Sequence, residues 1–155
     1  MKKIIIALFT VIGVLAILVA PVKARADQRR NHAPQLPPIV VVVVRLASQT
    51  MSVSVNGWPE AYWRISSART GYHTPKGSFV VTRMARIYFS KKYDDAPMPN
   101  SVFFYGGYAI HGTGHISQLG RPASHGCIRL HPADSAELYE IVQQYGMSRT
   151  RIYII

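Results

Sequence analysis

The sequence predicts a mainly β domain with one principal α-helix near the C-terminus. Two patterns predict strands: residues 39–44 form a continuous β-branched run, and residues 51–56 alternate apolar with polar side chains. A third pattern predicts the helix, because apolar residues recur at spacings of three and four between Leu138 and Tyr145. The 155-residue chain shows no internal repeat, so we expect one folded domain.

The first element is predicted to be an export signal over residues 1–26. Two lysines precede an almost wholly apolar stretch over residues 4–20, and Ala24-Arg25-Ala26 offers the small residues that signal peptidase reads. The alternative is an uncleaved membrane anchor, although about 17 apolar residues lie at the lower edge of what spans a bilayer. We therefore expect an exported protein of the periplasm or cell envelope.

Residues 27–38 are predicted to form a flexible leader before a domain over residues 39–155, because they carry three prolines among polar residues. Residues 1–26 hold four basic residues and no acidic one, so removing them lowers the net charge from +11 to +7. A positive excess favours anionic partners. Outside the cytoplasm we expect these to be carboxylate-rich wall peptides or anionic envelope polymers, and not nucleic acid.

Turn signals separate the remaining elements. Asn56-Gly57 predicts a hairpin leading into a strand around residues 62–66. In a strand predicted over residues 102–111, Gly106-Gly107 suggests a bulge or a close backbone approach. Pro132 fits the first turn of the helix and Gly146 ends it. The remaining expectations are strands over residues 78–82, 127–130 and 151–155, a polar loop over 90–100 and a glycine-rich loop over 112–126.

Cys127 is the only cysteine of the chain. An exported thiol without a second thiol cannot form an internal disulfide, so a nucleophile explains it better. A thiol reacts as its thiolate, and a nearby histidine can take the proton. His125 is expected to lie beside the thiol, whereas His111, at the end of a separate strand, can approach from the facing side. We therefore predict His111 as the base.

Glycines flank both of these residues. Gly126 leaves room for a substrate carbonyl near backbone N–H groups, which are natural oxyanion donors. The Gly112 carbonyl is a candidate to orient His111, as an aspartate does in a serine triad. Asp134 is the alternative, but it fits better at the N-terminus of the helix. His115 follows His111 by four residues, yet the intervening glycines argue against a helical metal site, so we predict no metal and no cofactor.

Two motifs resemble the signature of the L,D-transpeptidase catalytic domain (YkuD) family. They are Tyr108-Ala109-Ile110-His111-Gly112-Thr113 and, after Gly120, Ser124-His125-Gly126-Cys127-Ile128-Arg129-Leu130. The resemblance extends over roughly residues 39–145. It implies an L,D-transpeptidase-like β-sandwich in which the cysteine lies in a pocket under a flexible loop.

The resemblance also implies a reaction. Cys127 attacks the amide between the third and fourth residues of a peptidoglycan stem tetrapeptide, D-alanine leaves, and an amine of a second stem takes the acyl group to form a 3-3 cross-link. His111 is implied to act as base and then acid, with Gly112 orienting it. The implied substrate and oxyanion residues are Ser124, His125, Gly126 and Arg129. Arg129 stands where many members have asparagine, and its guanidinium suits a carboxylate.

Other functions stay open at this point. Water as the acceptor would make the protein an L,D-carboxypeptidase or an endopeptidase, and a protein lysine would make it an attachment or detachment enzyme. A wall-binding module without activity is the alternative of a different class. A zinc hydrolase is weaker still.

Overall fold

Two β-sheets and one long helix make up the computed structural model, which describes residues 37–155. The predicted signal over residues 1–26, and the leader as far as residue 36, lie outside the described residues. The strands are β1 (Val40–Arg45), β2 (Thr50–Val55), β3 (Trp58–Arg64), β4 (Gly77–Val80), β5 (Arg83–Ala85), β6 (Phe89–Ser90), β7 (Ala96–Pro97), β8 (Ser101–Tyr105), β9 (Tyr108–Gly112), β10 (Ile128–Leu130) and β11 (Thr150–Ile154). The helix is α1 (Pro132–Tyr145), and two short 3-10 turns cover Ile116–Gln118 and Met147–Arg149.

The larger sheet has the strand order β3-β2-β1-β11-β4. Its centre is β1, which pairs antiparallel with β2 and parallel with β11. Val40, Val42 and Val44 are fully buried, while Val41 and Val43 on the other face are half-buried. The β-branched run therefore forms a strand that is fully buried on one face.

The smaller sheet has the order β10-β9-β8-β5 and separates the main core from the cavity described below. One of its faces contributes Ile110, Ile128 and Leu130 to the main core. Its other face carries Phe103 and Ala109, which form a separate small apolar cluster with Met98. The prediction of a mainly β sandwich with one principal helix is confirmed.

Helix α1 begins and ends at the predicted residues. His131 caps its N-terminus by accepting a hydrogen bond from the Ala133 N–H, Pro132 occupies the first turn, and Gly146 with φ 94° follows the last turn. Leu138 and Val142 pack into the main core. Within residues 37–155, no helix has the length and apolar character needed to cross a membrane.

Three local predictions are corrected. Gly106-Gly107 is the turn between two antiparallel strands, β8 and β9, and does not interrupt a single strand. Asn56 and Gly57 both have positive φ, as a two-residue hairpin turn requires, so β3 begins directly at Trp58 and ends before residues 65 and 66. The polar loop over residues 90–100 contains part of a small hairpin formed by β6 and β7.

Candidate active site

The candidate site lies on the face of the smaller sheet that points away from the main core. Strands β9 and β10 are parallel neighbours, and Arg129 is opposite His111. Residues two apart in a strand share a face, so Cys127, just before β10, lies diagonally across from His111. Both residues line one cavity of about 610 Å³. His111 and Cys127 thus lie on one face of a single sheet, on or next to adjacent strands, and not on two elements that face each other.

His111 is buried, with only 6% of its surface exposed. Its Nδ1–H donates a 2.7 Å hydrogen bond to the Gly112 carbonyl, which leaves Nε2 as the acceptor of the neutral ring. Burial lowers the pKa of His111 to about 4; the Gly112 bond opposes this shift and the positive charge of Arg129 adds to it. At neutral pH the imidazole is therefore uncharged and able to accept a proton.

Gly112 fits between strand and helix with no room for a side chain. A Cβ at this position would lie 2.6 Å from Ser135 Oγ and 3.2 Å from Pro99 Cγ. The Gly112 N–H also donates to the Pro99 carbonyl at 2.9 Å. The residue whose carbonyl contacts His111 is thus held in place by its own N–H and by the close packing around its Cα. Asp134, the alternative orienting group, lies in the first turn of α1 as expected.

Cys127 presents a protonated thiol to the cavity. It packs against the small cluster that contains Met98, Phe103 and Ala109, and Sγ lies 3.8 Å from the Gly107 carbonyl. Burial raises the pKa of the Cys127 thiol, and the Ala109 backbone and Arg129 only partly offset this. The thiol therefore needs a base before it can act as a nucleophile.

Hydrogen bonds hold the segment from Ser124 to Cys127 in one conformation. Ser124 is buried; its hydroxyl donates to the Cys127 carbonyl at 2.6 Å and accepts from the Gly126 N–H at 3.0 Å. The Gly126 carbonyl in turn accepts from the Thr74 hydroxyl at 2.8 Å. Because the Gly126 N–H already donates to Ser124 Oγ, the Cys127 N–H is the better candidate of the two for an oxyanion donor.

Gly126 is required by the packing of the protein itself. Its φ is 129°, and a Cβ would lie 2.7 Å from Tyr108 Cε1 and 2.8 Å from the His73 carbonyl oxygen. The reason expected from the sequence is access for a substrate carbonyl. The structure supplies a more immediate reason. Any side chain at position 126 would clash with Tyr108 and His73 and would displace the backbone next to Cys127.

His125 lies at the rim of the cavity between aromatic rings. Tyr93 stacks on it at 4.5 Å with an interplanar angle of 13°, and Tyr72 meets it edge-on at 4.6 Å. His125 Nε2 accepts a 2.7 Å hydrogen bond from Arg69, so this nitrogen is not available for proton transfer. Burial lowers the pKa of His125, and the charges of Arg69 and Arg129 add to the effect.

Arg129 is half-buried and lines the same cavity. Its Nη1 donates to Gln118 Oε1 at 3.1 Å and to the Ala123 carbonyl at 3.4 Å, which fixes one side of the guanidinium. His115 also lines the cavity, but within residues 37–155 no three histidine, cysteine or acidic side chains form a group that could hold a metal ion.

Four residues of the site were not identified as functional from the sequence: Arg69, Tyr72, Thr74 and Tyr93. Arg69 precedes a turn-rich segment over residues 70–77, and Thr74 lies in it. This segment falls within residues 39–145, over which the family resemblance extends, and that was the only signal for these two residues. Tyr93 lies in a polar segment more than 30 residues before Cys127, and nothing local marks it as part of the site.

This chain is similar to known proteins in sequence and in fold. The family described as the L,D-transpeptidase catalytic domain matches residues 39–154. YqjB of Bacillus subtilis (strain 168), which carries an L,D-transpeptidase name, is 28% identical over 120 residues, covering 69% of this chain and 68% of that protein.

Two solved structures have the same fold. The L,D-transpeptidase from Stackebrandtia nassauensis has a TM-score of 0.66 at 26% identity, covering 81% of this chain and 59% of that one. L,D-transpeptidase 3 from Mycobacterium tuberculosis, in complex with a faropenem-derived adduct, has a TM-score of 0.65 at 24% identity, covering 76% of this chain and 60% of that one. The chain thus spans about three fifths of the length of these two proteins.

Proposed function

This chain belongs to the L,D-transpeptidase catalytic domain family, whose members are enzymes, and we propose that it is an exported, cysteine-dependent L,D-transpeptidase of peptidoglycan. In this proposal Cys127 takes the acyl group of a stem tetrapeptide and passes it to an amine of another stem, forming a 3-3 cross-link. Export rests on the signal pattern of residues 1–26. The proposed site of action is the periplasm or cell envelope.

The acylation step uses the two neutral side chains of the cavity. As Cys127 Sγ attacks the carbonyl carbon of the third residue, its proton moves to His111 Nε2 and a sulfur–carbon bond forms. The carbonyl oxygen becomes an oxyanion, for which the Cys127 N–H is the proposed donor. The carbon–nitrogen bond then breaks, and His111 returns the proton to the leaving D-alanine nitrogen.

The transfer step reverses these roles. His111, neutral again, takes a proton from the amine of the second stem as that nitrogen attacks the thioester carbon. The sulfur–carbon bond breaks, a new amide forms, and the proton returns to Cys127 Sγ. Gly112 keeps the imidazole in one tautomer throughout, because Nδ1–H donates to its carbonyl.

One observation carries the proposal: His111, buried and fixed by the Gly112 carbonyl, shares one face of the sheet and one cavity with Cys127. The burial that lowers the pKa of His111 keeps its imidazole neutral, and therefore able to accept a proton, at neutral pH. Non-enzymatic wall binding requires neither feature.

A product assay tests the proposed reaction. Purified protein is incubated with disaccharide-tetrapeptides, and the products are resolved by mass. We expect release of D-alanine and formation of cross-linked dimers, both lost in Cys127→Ala. A matched control is Ser48→Ala, an exposed serine on the turn between β1 and β2.

The same assay separates the alternative functions. Tripeptides without dimers would show that water is the acceptor and would identify a carboxypeptidase. Binding of Cys127→Ala to sacculi as strong as that of the wild type, with no release of D-alanine by the wild type, would instead leave a wall-binding module. Either result overturns the transpeptidase proposal.

A further inference from the structure

Among the described residues, two neighbouring guanidinium groups, those of Arg129 and Arg69, have no carboxylate partner. Arg129 lines the cavity, and its pKa is lowered by burial and by the charge of nearby Arg69. Neither arginine forms an ion pair with a carboxylate of residues 37–155, in contrast to Arg86, which pairs with Glu140 on the surface. A half-buried cation next to a second cation favours the binding of an anion.

Arg69 is held in place although it is exposed. Its Nη2 donates to His125 Nε2, and its guanidinium lies 4.8 Å from the centre of the Tyr72 ring. Its backbone N–H donates to the Ser124 carbonyl at 3.0 Å. These contacts attach Arg69 to the segment that carries Cys127, so its positive charge is fixed relative to the thiol.

The lysine and arginine side chains that line the cavity are not balanced by acidic ones from the described part of the chain. Its titratable lining residues include Lys91, Lys92 and Arg129, and no aspartate or glutamate of residues 37–155 lines it. Arg129 uses Nη1 for the two hydrogen bonds described above, which leaves Nε and Nη2 to donate to a ligand. The edge of a guanidinium group matches the two oxygens of a carboxylate. The ligand chemistry that fits this part of the cavity is a carboxylate.

We propose that Arg129, supported by Arg69, forms a subsite for a free carboxylate of the stem peptide adjacent to the scissile bond. Arg129 follows Cys127 by two residues on the same face, which separates them by about 7 Å along the strand. A peptide residue spans about 3.8 Å between Cα atoms, so a carboxylate one residue from the attacked carbonyl lies within reach of the guanidinium.

Two carboxylates of a tetrapeptide have this position. One is the C-terminal carboxylate of the fourth residue, and the other is the side-chain carboxylate of a third residue that bears one. Both present the same chemical group to Arg129. The assignment of a stem peptide as the ligand rests on the proposed function, whereas the assignment of Arg129 as the residue that binds the carboxylate rests on the geometry of the site alone.

Binding to the Cys127→Ala protein tests the subsite without requiring catalysis. Three synthetic tetrapeptides are compared by calorimetry: a free acid, its C-terminal carboxamide, and its third-residue side-chain carboxamide. We expect one carboxamide to bind about 10- to 100-fold more weakly than the free acid, because a charge-assisted hydrogen-bonded pair is lost. The carboxamide that loses affinity identifies the carboxylate that is read.

Second substitutions in the Cys127→Ala background assign the effect to residues. Arg129→Gln is expected to abolish the preference for the free acid, Arg129→Lys to keep part of it, and Arg69→Gln to reduce it. Arg45→Gln removes the same charge from β1 of the larger sheet and is expected to leave the preference unchanged. Folding of each variant is verified by its circular dichroism spectrum.

Several results would overturn the subsite. These are equal binding of the three peptides, no binding of any peptide to folded Cys127→Ala, or a preference that persists in Arg129→Gln. The proposed function fails on a different result, namely the absence of D-alanine release by the wild-type protein. The two failures are therefore distinguishable.

Discussion

Burial acts in opposite directions on the pKa values of the two reacting side chains. It raises the pKa of the Cys127 thiol and lowers the pKa of His111 to about 4. Both shifts favour the uncharged form. The structure therefore favours a thiol–imidazole pair over a preformed thiolate–imidazolium pair, and the proton moves as the sulfur attacks.

The pH dependence of acylation follows from this pair. Because His111 must be neutral to accept the proton, we expect the acylation rate to fall as the pH drops through about 4, well below the ordinary histidine value of 6.5. The rate is followed as release of D-alanine from disaccharide-tetrapeptides at each pH.

Two controls define this result. Circular dichroism at each pH confirms that the protein remains folded. His125→Gln is expected to leave the midpoint unchanged, whatever its effect on the rate, because His125 Nε2 is engaged by Arg69. A midpoint near 6.5 in the wild-type protein would contradict the role of buried His111.

Single residues also show how far the sequence predicts the site. Cys127 and His111 were identifiable because a lone thiol in a chain predicted to be exported forms no internal disulfide, and a nearby histidine can take its proton. Arg69 and Tyr93 were not, because their contacts with His125 join positions 56 and 32 residues apart in the sequence. No local pattern encodes such contacts.

Among the elements, residues 86–98 form an arch that contains β6 and β7 and lines the cavity with Tyr88, Tyr93 and Met98. At one end, Arg86 pairs with Glu140 at 2.7 Å and lies over the Tyr139 ring of α1. Towards its tip, Tyr93 stacks on His125. The arch is thus attached both to the helix and to the segment that carries the thiol.

Loosening the tip of the arch should expose the thiol. We expect Tyr93→Ala to increase the rate of alkylation of Cys127 by iodoacetamide about two- to tenfold, because a stacked aromatic pair contributes about 0.5–1.5 kcal/mol. The rate is measured by intact mass at a fixed pH. Tyr93→Phe keeps the ring and should behave as the wild type, and an equal increase in both variants would show that the stack is not what restrains the arch.

The elements that were predicted poorly share one property. Strands β5, β6 and β7 contain two or three residues each, which is too short to display a period of two. The parallel pairing of β9 with β10 was also missed, because the two strands are separated by 15 residues that include a 3-10 turn. Long elements with a repeating pattern, such as β2 and α1, were predicted nearly to their ends.

Across the whole molecule, the last strand occupies a central place. β11 lies between β1 and β4, so both of its edges are paired. Thr150, Ile152 and Ile154 point into the protein, and Ile152 is fully buried. The stability of the larger sheet therefore depends on residues 150–154.

Adjacent residues of β11 provide a matched test. We expect Ile152→Ala to lower the free energy of unfolding by about 2–5 kcal/mol, since it leaves a cavity in the main core. Tyr153→Ala, on the outer face and 38% exposed, should cost less than about 1 kcal/mol. Urea unfolding followed by circular dichroism measures both values, and equal losses would contradict the assigned faces.

The position of β11 also constrains the order in which the larger sheet can form. Val40 pairs with Thr150, so the edges of β1 and β4 that face β11 gain a partner only when residues 150–154 have been synthesised and have docked between them. Contacts between such distant parts of a chain form slowly, and unpaired strand edges invite association with other chains. Until β11 docks, these two edges are therefore the part of the larger sheet that is open to pairing with another chain.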